Sequence, residues 1–99
     1  MQFMVLAYDG TDEHALERRM AARAEHLKNG EALYKAGKWL YAAGLLDDDG
    51  RMIGSMIICD FESREKLQKE WLDSEPYITG DVWKTIVIDN AAVAPFCRK

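Results

Sequence analysis

Residues 52–61 carry apolar side chains on both faces of a predicted strand. A strand directs successive side chains to opposite faces. One face here carries Ile53, Ser55, Ile57, Cys59 and Phe61, and the other carries Met52, Gly54, Met56, Ile58 and Asp60. Because both faces are largely apolar, the pattern predicts a strand at or near the middle of a sheet that is covered on both sides.

Three other segments show the same alternation. Residues 3–8 predict a first strand, residues 38–46 a second and residues 82–89 the last. The acidic stretch at 47–50 ends in glycine and is typical of a turn, so the second strand and the strand at 52–61 form a hairpin. An EF-hand calcium loop would need a terminal glutamate and flanking helices, and that pattern is missing.

Helical spacing predicts a helix from about residue 13 to about residue 36, ended by Gly37. At 100° per residue one stripe of this helix carries Leu16, Met20, Arg23, Ala24, Leu27 and Tyr34. His26 lies beside that stripe, at the boundary between packed surface and water or a cleft. Ser63 is the expected N-cap of a second helix, which Glu75-Pro76 ends. Residues 77–81 are predicted as a connecting loop and 90–99 as a tail.

The resulting order of elements is βαββαβ, which predicts an α+β, ferredoxin-like domain spanning residues 1–99. In this arrangement a four-stranded antiparallel sheet carries two helices on one face. The other face would expose several hundred Å² of apolar surface, which is rare in a soluble monomer. We therefore predict a homodimer that packs sheet to sheet and buries about 800 Å² per partner. The alternative is a monomer whose side chains and loops fold over the open face.

Composition narrows the classes of partner. The 99 residues are 48% apolar and 30% charged, with a net charge of −4. An acidic protein lacks the cationic footprint that binding to nucleic acid or an anionic membrane requires. No segment is long enough to span a bilayer, and the N-terminus lacks the layout of a signal peptide. Cys59 and Cys97 form no CxxC pattern, so a cytoplasmic protein with reduced thiols is the simplest expectation.

Several short stretches, in order along nearly the whole chain, carry a family resemblance. They are Met-Gln-Phe-Met-Val-Leu at the start, Arg-Ala-Glu-His-Leu at 23–27, Ala-Gly-Leu-Leu-Asp-Asp-Asp-Gly at 43–50, Ile-Gly-Ser at 53–55 and Glu-Pro-Tyr at 75–77. Together they resemble the YciI-like (YCII-related) proteins of the dimeric α+β barrel superfamily. The resemblance implies a histidine on the first helix, often paired with an aspartate. It also implies an activity like that of a related dehydrochlorinase that acts on a chlorinated hydroxyhydroquinone.

The chain departs from the family pattern in three places. Lys35-Ala36 stands where an acidic residue is expected before the helix-ending glycine, which puts a His–Asp dyad in question. Gly44-Leu45 replaces the usual Gly-Pro, and Glu75-Pro76-Tyr77 replaces the usual Asp-Pro-Tyr.

His26 is the candidate catalytic residue. An imidazole with an ordinary pKa of about 6.5 both takes and gives a proton near neutrality. A helical histidine beside an apolar stripe is also commonly structural. An orienting carboxylate would fix its tautomer, and Glu75 is the candidate. His14, at the start of the helix, is expected to be solvated.

The remaining candidate substrate-binding residues each have a structural alternative. Ser55 would hold a substrate oxygen or bond to the backbone. Tyr77 would close the pocket or plug a helix end. Arg23 would pair with a substrate carboxylate or with a neighbouring glutamate. With two histidines and no His/Cys cluster, we predict neither a metal nor another cofactor.

Three hypotheses of function follow. The first is a cofactor-independent lyase or isomerase in which His26 moves a proton on a small aromatic or oxo-acid substrate, within a closed cleft. The second is a non-catalytic small-molecule-binding or accessory module. The third is a purely structural dimer module without a cleft at His26.

Overall fold

Four antiparallel strands form one sheet, in which the order across the sheet is residues 39–46, 52–60, 2–9 and 83–91. The computed structural model describes residues 1–97. Its strands are β1 (Gln2–Asp9), β2 (Trp39–Leu46), β3 (Met52–Asp60) and β4 (Trp83–Ala91). Its helices are α1 (Ala15–Lys35), α2 (Arg64–Glu70) and α3 (Pro76–Thr79), with short 3₁₀ turns at Leu72–Ser74 and Pro95–Cys97. The predicted ferredoxin-like α+β fold and the inner position of β3 are confirmed.

The core lies on the helix side of the sheet. Cross-strand pairs such as Val5 with Ile57 and Phe3 with Cys59 place fully buried side chains on that face. The helices and the segment after α2 cover them with large residues, including Leu67, Trp71, Leu72 and Tyr77. Burial of the Cys59 thiol raises its pKa to about 12.

The face of helix α1 that packs against the sheet is not the apolar stripe predicted from the sequence. Leu16, Met20, Leu27 and Tyr34 are 45–62% exposed, and the buried residues of the helix are Ala15, Arg19, His26 and Gly30. Gly30 admits the ring of Trp39, since a Cβ at Gly30 would lie 2.5 Å from Trp39 Cζ3. Arg19 and His26 are tolerated inside because each has a buried carboxylate partner.

The segment after α2 also differs from the prediction. The Ser63 cap is confirmed, because its hydroxyl accepts a hydrogen bond from Lys66 N. The helix ends at Glu70 rather than at the Glu75-Pro76 pair. Residues 76–79 form α3, so the predicted connecting loop at 77–81 is helical in its first three residues, because the Glu75 side chain caps this helix and Pro76 suits its first turn.

The C-terminal tail begins later than predicted. Strand β4 continues through Ala91 and pairs with β1 as far as Gln2, so 90–91 belong to the sheet. A 3₁₀ turn forms at Pro95–Cys97. The last two positions of the predicted tail lie outside the described residues.

The face of the sheet opposite the helices is apolar and uncovered in the single chain. It presents Met4, Leu6 and Tyr8 from β1, Met56 and Ile58 from β3, Tyr41 and Leu45 from β2 and Val87 from β4. Tyr8, Tyr41 and Val87 are 44%, 68% and 50% exposed. Over residues 1–97, no helix has the length and hydropathy needed to cross a membrane.

Candidate functional site

His26 and Glu75 form a buried pair between α1 and the start of α3. His26 Nδ1 lies 2.7 Å from Glu75 Oε2, and the two side chains are 9% and 1% exposed. Glu75 also accepts hydrogen bonds from Tyr77 N on Oε2 and from Trp71 Nε1 on Oε1, each at 2.8 Å. The backbone amide and the indole can only donate, so Glu75 acts as a carboxylate acceptor. This network assigns the Nδ1 proton to His26.

The second ring nitrogen of His26 is left free by this arrangement. Within residues 1–97, Nε2 has no hydrogen-bond partner. It is not fully buried and keeps some accessible surface. In the Nδ1–H tautomer, Nε2 carries the lone pair. The geometry therefore leaves Nε2 as a proton acceptor with some accessible surface.

Tyr77 packs against the imidazole. Its ring is parallel to that of His26, with centroids 3.7 Å apart, and the guanidinium carbon of Arg19 lies 4.7 Å from the same ring. Residues 19 and 26 are two helical turns apart on α1, about 10 Å, so the Tyr77 ring lies between them. Burial raises the pKa of the Tyr77 phenol, and the charges of Arg19 and Arg23 oppose that shift.

A second buried polar cluster lies beside the first. Arg19 Nη1 donates to both carboxylate oxygens of Asp9 at 3.0 and 2.9 Å, and Arg19 Nη2 donates to Ser55 Oγ at 3.1 Å. Trp83 Nε1 donates to the same hydroxyl at 3.2 Å. Asp9, Arg19 and Ser55 are each less than a tenth exposed. The two clusters meet at Tyr77, which Arg19 and His26 both contact.

The structure brings most of the predicted site residues together. His26, Glu75 and Tyr77 are in direct contact, and Ser55 joins them through Arg19. Arg23 is half-buried, and within residues 1–97 it forms neither an ion pair nor a hydrogen bond, so the predicted pairing with a neighbouring glutamate is not observed. His14 is exposed, as predicted, with a side chain 65% accessible.

Sequence reasoning missed Asp9 and Arg19. The available signal was spacing: Arg19 and His26 are seven residues apart and therefore share one face of α1. The position expected to supply an acidic partner, Lys35, is exposed and pairs with Glu31. The carboxylate beside His26 comes from Glu75 instead.

Two shallow grooves flank the site. One, of about 480 Å³, runs between the second half of α1 and β2 and is lined by Leu27, Gly30, Glu31, Tyr34, Trp39, Leu40, Tyr41 and Ala42. The other, of about 270 Å³, includes Trp71 and Glu75. Across the described part of the chain, no three His, Cys, Asp or Glu side chains are grouped to hold a metal ion.

Comparisons with known proteins place the chain in a family. The family model for the YCII-related domain matches residues 1–90. Among solved structures, the chain is similar to 5-chloro-2-hydroxyhydroquinone dehydrochlorinase (TftG) from Burkholderia phenoliruptrix AC1100, in complex with 2,5-dihydroxybenzoquinone. The TM-score is 0.80 over 97% of this chain and 98% of that one, at 21% identity, which establishes a shared fold alone. No curated protein matches significantly. This protein belongs to the YCII-related domain family.

Proposed function

We propose that this protein is a cofactor-independent lyase or isomerase, dehydrochlorinase-like, that acts on a small aromatic or oxo-acid substrate. The observation that carries the proposal is the His26 ring, whose Nδ1 is held by Glu75 at 2.7 Å while Nε2 has no hydrogen-bond partner within residues 1–97. The fold shared with TftG, a dehydrochlorinase, supports the reaction class. Arg23, Ser55 and Tyr77 are the proposed substrate-binding residues around it.

The proposed chemistry is a proton transfer at Nε2. The lone pair takes a proton from a substrate C–H or O–H, so that bond breaks and an N–H bond forms. The imidazolium is stabilised by the Glu75 carboxylate, which accepts its Nδ1–H. In a dehydrochlorination, the electron pair left on the substrate forms the new double bond as chloride leaves with the C–Cl pair. His26 then returns its proton to water.

A non-catalytic binding or accessory module is the second candidate. It is favoured by the grooves, which are lined by neighbours of His26 rather than by His26 itself. In that case His26 would contribute to ligand affinity without turnover.

The test measures chloride release from 5-chloro-2-hydroxyhydroquinone and the binding of 2,5-dihydroxybenzoquinone by calorimetry. Under the enzyme proposal, His26→Ala abolishes release while the fold is retained. His14→Ala, an exposed histidine near the start of the same helix, leaves it unchanged. If wild type releases no chloride and turns over no member of a panel of phenols and oxo acids, while His26→Ala alters binding, the accessory role is correct instead.

We also propose that two copies pair through the open sheet face, with the protein in the cytoplasm. The support for pairing is the uncovered apolar surface, in which Tyr8, Tyr41 and Val87 are about half exposed or more. Both thiols are free cysteines, in keeping with a reducing compartment. Sedimentation at micromolar concentration tests the dimer, and a single 11 kDa species would refute it.

A further inference from the structure

The hydroxyl of Ser55 has a proton without an acceptor. Its oxygen receives hydrogen bonds from Arg19 Nη2 at 3.1 Å and from Trp83 Nε1 at 3.2 Å. Both groups can only donate, so they occupy the two lone pairs of the hydroxyl, and its own O–H must donate elsewhere. Within residues 1–97, Ser55 Oγ donates to no acceptor. Because Ser55 is only 3% exposed, this donor is both buried and unmatched.

Arg19 contributes a second unmatched donor. Its Nη1 is taken up by Asp9 and its Nη2 by Ser55, but Nε is fully buried and has no partner among the described residues. Asp9 already balances the charge of Arg19. Arg23 is therefore the nearby cation without a partner in residues 1–97, and its charge reaches the phenol of Tyr77. Among the described residues, the cluster around Ser55 thus has two N–H or O–H donors without an acceptor, the Ser55 hydroxyl and Arg19 Nε.

The neighbour of Ser55 on β2 is exposed to solvent. Gly44 is the cross-strand partner of Ser55, lies on the same face of the sheet and is exposed. A Cβ at Gly44 would lie 3.0 Å from Met52 Cε and 3.8 Å from Arg19 Nη2, so the flexible end of Met52, rather than a side chain at Gly44, lies over this side of the Arg19–Ser55 pair. Ala42, two residues along the strand on the same face, already lines the 480 Å³ groove.

We propose that the Ser55 O–H is a subsite for the anionic oxygen of a hydroxyaromatic or enolic ligand, with Arg19 and Trp83 as positioning residues that fix the direction of this donor. The inference rests on the proposed function and narrows its substrate class. When His26 Nε2 takes a proton, the electron pair stays on the conjugated ligand and develops charge on its oxygen. Ser55 donates to that oxygen, and Arg23 supplies the positive charge nearby.

The test uses two probes, 4-nitrophenol, which has an acidic phenol proton, and its methyl ether 4-nitroanisole, in which a methyl group replaces that proton. Nitrophenolate absorbs visible light, so its ionisation in the complex is measured directly. Wild type binds 4-nitrophenol about 10-fold to 100-fold more tightly than 4-nitroanisole and increases its phenolate fraction at neutral pH. Ser55→Ala loses both effects and retains the affinity for 4-nitroanisole, whereas Ser55→Thr, which keeps a hydroxyl, restores them. Arg19→Lys reduces the phenolate fraction, since it loses the fork that orients Ser55.

Ser55→Ala leaves two buried donors unmatched, so Gly44→Val provides an independent measurement if that variant fails to fold. Valine crowds the flexible end of Met52 over the Arg19–Ser55 pair and narrows the approach from β2, so 4-nitrophenol affinity falls about 10-fold. Ala43→Val, the neighbour on the opposite face, retains it. A folded Ser55→Ala that binds 4-nitrophenol like wild type overturns the subsite, and so does equal binding of the two probes. Neither probe requires turnover, so a missing chloride-release activity refutes the proposed enzyme separately.

Discussion

Replacing Glu75 with glutamine tests the geometry on which the site depends. Three N–H groups now end on this carboxylate, from His26, Trp71 and Tyr77. A glutamine amide offers one acceptor oxygen and one NH₂ donor. If its oxygen takes the position of Oε2, it still accepts from His26 and Tyr77, but the NH₂ group faces the indole N–H of Trp71. The reverse orientation faces the backbone N–H of Tyr77 and forces His26 into its other tautomer.

The expected loss of stability in Glu75→Gln follows from the hydrogen bonds that the substitution removes or weakens. The favoured orientation leaves one buried indole donor unmatched and replaces two hydrogen bonds to a charged group with neutral ones. We expect the free energy of unfolding to fall by about 3 kcal/mol. For a domain of this size that lowers Tm by roughly 10–20 °C. Proton transfer suffers as well, because a neutral amide stabilises the imidazolium poorly. Turnover should therefore fall by about 100-fold or more.

The assay combines urea denaturation with nitrogen NMR of the His26 ring. Wild type should show the Nδ1–H form, with Nε2 unprotonated at high pH. Glu75→Asp is the matched control, since it keeps a carboxylate and shortens the side chain by one methylene, and it should retain the tautomer. A Glu75→Gln protein that stays within about 1 kcal/mol of wild type and shows unchanged His26 nitrogen shifts would refute the reasoning.

Three further predictions use denaturation alone. Burial raises the pKa of Cys59, so the contribution of its neutral thiol to the free energy of unfolding is complete below the ordinary thiol pKa and is lost as pH rises toward 12. By about pH 11 the free energy of unfolding of wild type should therefore have fallen by roughly 3 kcal/mol more than that of Cys59→Ala. Parallel pH curves for the two proteins would contradict this. Gly30→Ala should destabilise by about 2 kcal/mol despite its better helix propensity, because its Cβ meets Trp39 at 2.5 Å, and a stabilised variant would exclude this packing. Trp71→Phe should lower the free energy of unfolding by about 2 kcal/mol more than Trp39→Phe. The Trp71 indole donates to Glu75, whereas within residues 1–97 the buried Trp39 indole has no partner. Equal losses in the two variants would argue against the Trp71–Glu75 hydrogen bond.

The order of elements was predictable because it depends on local pattern. Apolar side chains on both faces of residues 52–61 predict an inner strand wherever the segment lies in the chain, and β3 is an inner strand of the sheet. The Ser63 cap and the helix-ending Gly37, which adopts a φ of +77°, are equally local, since each depends on its own backbone and near neighbours.

The buried face of α1 was decided by tertiary structure. Its apolar stripe predicts that Leu16 and Leu27 face the core, yet both remain about half exposed while Arg19 and His26 are buried. Burying a charged or titratable side chain is costly unless a partner offsets the cost. The partners, Asp9 and Glu75, lie 10 and 49 residues away in sequence. Periodicity measures the polarity of a helix face but carries no information about distant partners, so only the folded chain shows that the polar face of α1 is the inner one.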